Sequence, residues 1–321
     1  MKNYKKIFVK KNEKIFLAGH KGLVGSSVLK KLKENGYKKI LVASKKNLNL
    51  LDQKRVLNFI KKIKPKAVII CAARVGGVNA NKNKKADFIY ENLTIQNNLI
   101  YGAFINKVER LVFLGSSCIY PAKSKQPIKE KYLLSGPLEK TNDAYAIAKI
   151  AGVKYCTSLK EQYNKNYICL MPTNVFGIND NYNLQDSHFI PALIRKVNTA
   201  IKKKKKFMEV WGTGTPKREL MHVDDLADAI IYFMNNKTDE SLINIGSGFE
   251  RNINQYAKIL INISEKKLKI KNVRKDLNGV KRKLLDTSLA KKYGWMSKSD
   301  VYEKLRETYK AYTFNKKIIK K

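Results

Sequence analysis

The chain has 321 residues, 44% of them hydrophobic, which is enough to bury one large core, and its four cysteines are too few for a disulfide framework. No apolar run reaches the roughly 18–20 residues of a membrane-spanning helix, so no membrane partner is expected, and reduced thiols point to the cytoplasm. The net charge of +40 would suit nucleic acid, but only nine of the 66 basic residues are Arg, the lysines are scattered over nearly every segment, and phosphate and base readout favour Arg's planar fork, so no nucleic-acid partner is expected either.

Residues 14–18 form a β-rich run, followed by Gly19, His20, Lys21, Gly22, Leu23, Val24 and Gly25 and then an amphipathic stretch to about residue 35. That is strand, glycine turn, helix. Residues 39–43 (KILVA) predict a second buried strand, 53–64 a helix and 67–71 (AVIIC) a third strand. A long helical pattern over 84–106 leads into a strand at 111–114, and a helix over 143–163 precedes a strand at 167–171. Short strands alternating with longer helices predict an α/β fold, a doubly wound parallel Rossmann sheet. After Pro172 the alternation breaks down, with Asn, Asp and Gly crowding 174–187 and helices near 189–201, 224–236 and 252–264 among short strands. Residues 1–173 therefore read as a dinucleotide-binding domain and 174–321 as mainly a smaller, mixed α/β substrate lobe, with chain exchange between the two allowed. The lysine runs at 202–206 and 316–321 read as a solvated helix end and a frayed terminus.

A glycine turn between a strand and a helix lets backbone N–H groups and the positive end of the helix dipole meet a pyrophosphate. Gly19, Gly22 and Gly25 supply that turn, in a GxxGxxG spacing one residue longer than the usual fingerprint. NAD-specific folds carry a carboxylate after the second strand, for the ribose hydroxyls. Here that position holds Ser44, Lys45 and Lys46, and no carboxylate follows until Asp52. Lys45, with Lys21 as a second candidate, suits a 2′-phosphate, so the expected cofactor is NADPH.

Tyr145 and Lys149 stand four apart in a helical stretch and share one face. An ammonium near a phenol is expected to lower its pKa, and the same lysine suits ribose hydroxyls. Ser116, in the turn Gly115-Ser116-Ser117-Cys118, can donate a hydrogen bond to the carbonyl that Tyr145 protonates. YxxxK alone is a solvated helix face in any lysine-rich protein. A glycine turn, a serine turn after the fourth strand and then YxxxK, in that order, is the pattern of the extended short-chain dehydrogenase/reductases.

Longer blocks carry a narrower resemblance: AGHKGLVGS at 18–26, AARVGGVNAN at 72–81, LGSSCIYP at 114–121, TNDAYAIAKIAG at 141–152, SHFIPALIRK at 187–196, WGTGTPKREL at 211–220 and RKLLD at 282–286. On these the chain resembles the GDP-L-fucose synthase family, the GDP-4-keto-6-deoxy-mannose epimerase/reductases. The resemblance implies a GDP-linked keto-sugar as substrate and a second activity, inversion at C3 and C5, with Cys118 and His188 at the positions of the family's acid/base pair. It implies cofactor contacts from Leu114, Gly115, Ser116 and Ser117, from Pro172, Thr173, Asn174 and Val175, and from Lys149 and His188. It puts Lys196, Trp211, Arg218, Asn278 and Lys283 on the sugar nucleotide. No metal is implied. Cys71, Cys156 and Cys169 lie in apolar patterns and read as core, while His222 reads as structural. The family's usual Pro before the catalytic Tyr is Ala144 here, its Arg at position 196 is Lys196, and its Pro-Asp-Gly-Thr-Pro-Arg-Lys loop is Leu-Asn-Gly-Val-Lys-Arg-Lys at 277–283. These departures bear on the sugar nucleotide, so another GDP-keto-sugar such as a 6-deoxy-heptose is the alternative substrate. The superfamily also implies a homodimer built on the helices over 84–106 and 143–163.

Overall fold

A computed structural model describes residues 8–274 and 279–314. Asn278, expected to contact the sugar nucleotide, and the lysine run at 316–321 lie outside them. In chain order, β1 (Lys14–Ala18), α1 (Leu23–Glu34), β2 (Lys39–Leu41), α2 (Gln53–Ile63), β3 (Ala67–Ile70), α3 (Val78–Asn83), α4 (Lys85–Ile105), β4 (Arg110–Leu114), α5 (Asp143–Tyr163) and β5 (Asn166–Pro172) make the first half. The second half contains β6 (Asn174–Phe176), α6 (Phe189–Lys202), β7 (Phe207–Trp211), β8 (Lys217–His222), α7 (Val223–Asn235) and β9 (Leu242–Ile245). It ends with β10 (Glu250–Asn252), α8 (Ile253–Ile263), β11 (Lys269–Val273), β12 (Arg282–Lys283), α9 (Ser288–Lys292) and α10 (Val301–Phe314).

Six parallel strands form the main sheet in the order β2-β1-β3-β4-β5-β9. Parallel strands buried on both faces need continuous apolar runs, and AVII of β3 and RLVFL of β4 are buried throughout. Side chains alternate across the pleat: Ile15, Leu17, Ile69 and Val112 pack against α1 and α7, whereas Phe16, Val68, Ile70 and Phe113 pack against α2, α4 and α5. Strand order reverses at β1, so the crevice beyond the ends of β1 and β3 is where such sheets receive ligands.

The lobe is built on β8, which pairs with β10, β12 and β6, beside a separate β11-β7 ribbon. Its core gathers Phe176, Ile194, Leu220, Tyr256 and Leu305. The chain returns from lobe to main sheet through α7 and β9. As read from sequence, 203–206 is an exposed lysine run just past the end of α6. No helix among the described residues is long and apolar enough to cross a membrane.

Candidate active site

The turn after β1 depends on absent side chains. Gly19 has φ +91°, and a Cβ on Gly25 would lie 2.1 Å from the Gly19 carbonyl oxygen. Only glycine accepts both demands, so the backbone folds tightly against the start of α1, whose N-cap is Gly22. Beside it opens a pocket of about 250 Å³ whose walls include His20, Lys21, Lys45, Leu48, Leu50 and Ile95. Apolar walls suit a base, and two ammonium groups at its rim suit a phosphate. Asp52, the first carboxylate after β2, accepts from Arg55 N at 3.0 Å as the cap of α2 and is thereby committed elsewhere. The cradle, the pocket and the two lysines fit NADPH. Thr173 and Asn174, expected at the cofactor's far end, both donate to the Glu219 backbone carbonyl, at 3.3 and 2.9 Å.

β4 delivers Leu114 and Gly115 to the sheet's edge, and a 3-10 turn over Ser117–Ile119 follows. Ser116 caps that turn, its Oγ accepting from Cys118 N at 3.2 Å. From α5, the Tyr145 hydroxyl hydrogen-bonds Ser116. One turn on, the buried Lys149 donates to the Leu114 carbonyl at 2.8 Å. The expected lowering of the Tyr145 pKa is corrected here: burial raises it, the Cys118 sulfur adds to the rise, and the Ser116 bond opposes both. Lys149 Nζ faces the Leu114 carbonyl and lies 5.9 Å from the Tyr145 ring centre, so desolvation of the phenol dominates. Tyr145 is thereby kept as a protonated acid. Burial also depresses Lys149, to about 8.

Cys118 Sγ accepts from Asn142 Nδ2 at 3.3 Å and from Lys283 Nζ at 3.6 Å. Parallel pairing of β12 with β8 sets Lys283 in register with Arg218, and both are thereby brought to the thiol. The Arg218 cation interacts with the sulfur, although burial lowers its own pKa. Cations and amide donors around sulfur stabilise the thiolate. Lys283 therefore faces the thiol, a contact the sequence does not show. His188 is the N-cap of α6 and uses no side-chain cap. Its side chain reaches the surface, yet the surrounding protein desolvates the imidazole and lowers its pKa. Gly77 fits beneath it: Gly77 N donates to the Asp186 carbonyl at 2.8 Å, and a Cβ there would lie 2.3 Å from the Ser187 carbonyl oxygen.

Cys156 and Cys169 are buried, and burial pushes the Cys71 thiol up to about 12. Buried His222 caps α7 by accepting from Asp224 N. Lys196 Nζ lies 4.2 Å from the centre of the exposed Trp211 ring, and burial holds Lys196 near 8. Arg274, which sequence reading missed, stacks its guanidinium 5.1 Å from the same ring. Lys196 and Arg274 thus offer positive charge beside an aromatic face, a combination suited to a nucleotide.

Residues 15–246 match the model of the NAD dependent epimerase/dehydratase family. A GDP-L-fucose synthase of Sinorhizobium fredii is 42% identical over 303 residues, covering 94% of this chain and 96% of its own. A GDP-L-fucose synthetase of Naegleria fowleri solved with NADP bound has a TM-score of 0.89 at 25% identity, covering 98% of this chain and 96% of that one. A GDP-D-glycero-L-gluco-heptose synthase of Campylobacter jejuni, solved in the presence of NADPH, has a TM-score of 0.86 at 34% identity, covering 96% of this chain and 99% of that one.

Proposed function

The chain belongs to the NAD dependent epimerase/dehydratase family, and within it we propose that it is an enzyme converting GDP-4-keto-6-deoxy-D-mannose to GDP-L-fucose, by 3,5-epimerisation followed by NADPH-dependent 4-reduction. One observation carries this reading: the Ser116–Tyr145 pair meets, two residues along the same turn, a thiol flanked by Lys283 and Arg218. A plain reductase needs the first pair and has no use for the second.

The C4 ketone acidifies the protons on C3 and C5. In each inversion Cys118 as thiolate takes the carbon-bound proton and protonated His188 gives its own to the opposite face of the enolate, and proton exchange with water resets both groups before the next. Ser116 then hydrogen-bonds the C4 carbonyl oxygen while Tyr145 gives that oxygen its proton. The Gly19–Gly25 turn, Lys45 and Lys149 would hold NADPH, whose chemistry when bound would be to supply the hydride for C4. Lys196, Trp211 and Arg218 are assigned to the nucleotide diphosphate, with Lys283 shared between it and the thiol. In this division residues 1–173 serve mainly the cofactor and 174–321 mainly the sugar nucleotide. The reaction is assigned to the cytoplasm, where four unpaired thiols persist.

A homodimer is part of the proposal. α4 and α5 pack on each other, and their outer faces present Tyr90, Tyr101 and Ile147 at 64%, 40% and 47% exposure, an apolar stripe suited to the same stripe of a second copy.

The test uses GDP-4-keto-6-deoxy-D-mannose and NADPH in D₂O, with products identified by NMR. Wild type should give GDP-L-fucose labelled at C3 and C5. Cys118→Ser should lose the label while still reducing the unepimerised ketone, and Tyr145→Phe should keep exchange while reduction falls by about 10²–10⁴. Wild-type labelling in Cys118→Ser would remove the base from the scheme. A heptose substrate is the second reading, favoured by the 34% identity to the C. jejuni heptose synthase. A higher kcat/KM on a GDP-4-keto-heptose than on the hexose would select it.

A further inference from the structure

Asn142 is the N-cap residue of α5, a position where Asn ordinarily folds its side chain back onto the helix's first free N–H groups. It makes no such cap. Its backbone carbonyl still accepts from Ala146 N at 2.9 Å, so the helix starts normally, while the side chain turns away and gives Nδ2 to Cys118 Sγ at 3.3 Å. Oδ1 is then buried without a hydrogen-bond partner. Two penalties thus coincide at one residue, a forgone cap and an orphaned carbonyl oxygen, and both follow from keeping the amide N–H on sulfur. Buried polar atoms left unsatisfied are rare enough to call for a reason.

We infer that Asn142 is a positioning residue whose amide N–H steadies negative charge on the Cys118 sulfur, as the base in the proposed epimerisation requires. The other groups acting on the sulfur are Lys283 from β12, Arg218 from β8, itself balanced by Glu139, and the Tyr145 hydroxyl from α5. The two cations supply charge but sit on the lobe. Asn142 is the donor carried by α5, the helix that also carries Tyr145 and Lys149, so it ties the thiolate to the frame of the reductive groups. The inference rests on Cys118 being the base, and its test separates the two.

Asn142→Ser supplies a strong helix cap on a side chain one atom shorter, so it should preserve or improve folding while withdrawing the donor from sulfur. The first readout needs no substrate: the pH dependence of iodoacetamide alkylation of the whole protein, with the modified cysteine mapped by mass spectrometry. Relative to wild type, the midpoint of the Cys118 alkylation profile should rise by about one pH unit. Asn142→Asp, which sets a carboxylate against the sulfur, should raise the midpoint further. The second readout is deuterium uptake at C3 and C5, which should fall in Asn142→Ser. An alkylation profile identical to wild type in both variants would overturn the inference. A shifted profile with undiminished deuterium uptake would uphold it and instead refute Cys118 as the base.

Discussion

Lys149→Met should make the ligand-free protein more stable at neutral pH, although it removes a residue the proposed chemistry needs. Lys149 is 3% exposed, and Nζ donates to the Leu114 carbonyl. Burial lowers its pKa from the ordinary 10.5 to about 8, with Cys71 and Cys169 opposing weakly. The unfolded chain keeps the proton up to 10.5 while the folded chain releases it above about 8, so between these values the unfolded state binds more protons and stability rises with pH. The contribution is therefore fully present above 10.5 and lost as pH falls through about 8. At about 1.4 kcal/mol per pH unit, the gap amounts to roughly 3 kcal/mol held against the folded state at pH 7. Met has similar length and no charge, and its substitution leaves one carbonyl unpaired at about 1 kcal/mol. The variant should gain about 2 kcal/mol at pH 7 in urea unfolding, and the gain should vanish as pH rises from 8 toward 10.5. A variant less stable than wild type at pH 7, or a difference independent of pH, would refute the reasoning.

Other perturbations test neighbouring parts of the site. Gly77→Ala forces a Cβ against the Ser187 backbone and should displace His188, reducing epimerisation by about 10² while NADPH binding, measured by fluorescence titration, stays near wild type; unchanged turnover would show that His188 does not depend on this contact. Lys45→Glu should lower the preference for NADPH over NADH in kcat/KM on the order of tenfold, and equal loss with both cofactors would take Lys45 away from the 2′-phosphate. Tyr101→Glu combined with Ile147→Glu places charge in the exposed stripe of α4 and α5 and should give a monomer by light scattering; an unaltered mass would move any dimer interface elsewhere.

What was legible in the sequence was local. Continuous apolar runs announced β1, β3, β4 and β5, and the helix over 143–163 matches the bounds of α5 because its pattern is unbroken from Asp143 to Tyr163. The neighbourhood of Tyr145 and Lys149 followed from helical spacing, but its electrostatics did not, because spacing carries no information on desolvation. The contact of Lys283 with Cys118 joins residues 165 apart through the register of β12 on β8, which no local pattern encodes. β9 was equally hidden, since LINI is a short apolar run like others in the lobe yet completes the main sheet. Asn142 stands where a helix cap belongs, yet its side chain turns to Cys118, a direction no local pattern encodes. The Gly76-Gly77 pair was the one available signal for the close approach to Ser187, because adjacent glycines outside a turn often mark backbone packing on backbone.

The two chemistries assigned to this pocket need groups of opposite protonation close together, since Tyr145 must hold a proton at the pH where Cys118 must lack one. Environment supplies the difference. Burial of Tyr145 favours its neutral form, whereas Cys118 faces the donors Asn142, Lys283 and Arg218. The two are also coupled, because the charge on sulfur itself raises the Tyr145 pKa. A thiolate waiting to take a carbon-bound proton thereby strengthens the hold of Tyr145 on its own. Reduction at C4 destroys the carbonyl on which both inversions depend, so a Tyr145 that keeps its proton while the sulfur is charged and ready favours epimerisation before reduction.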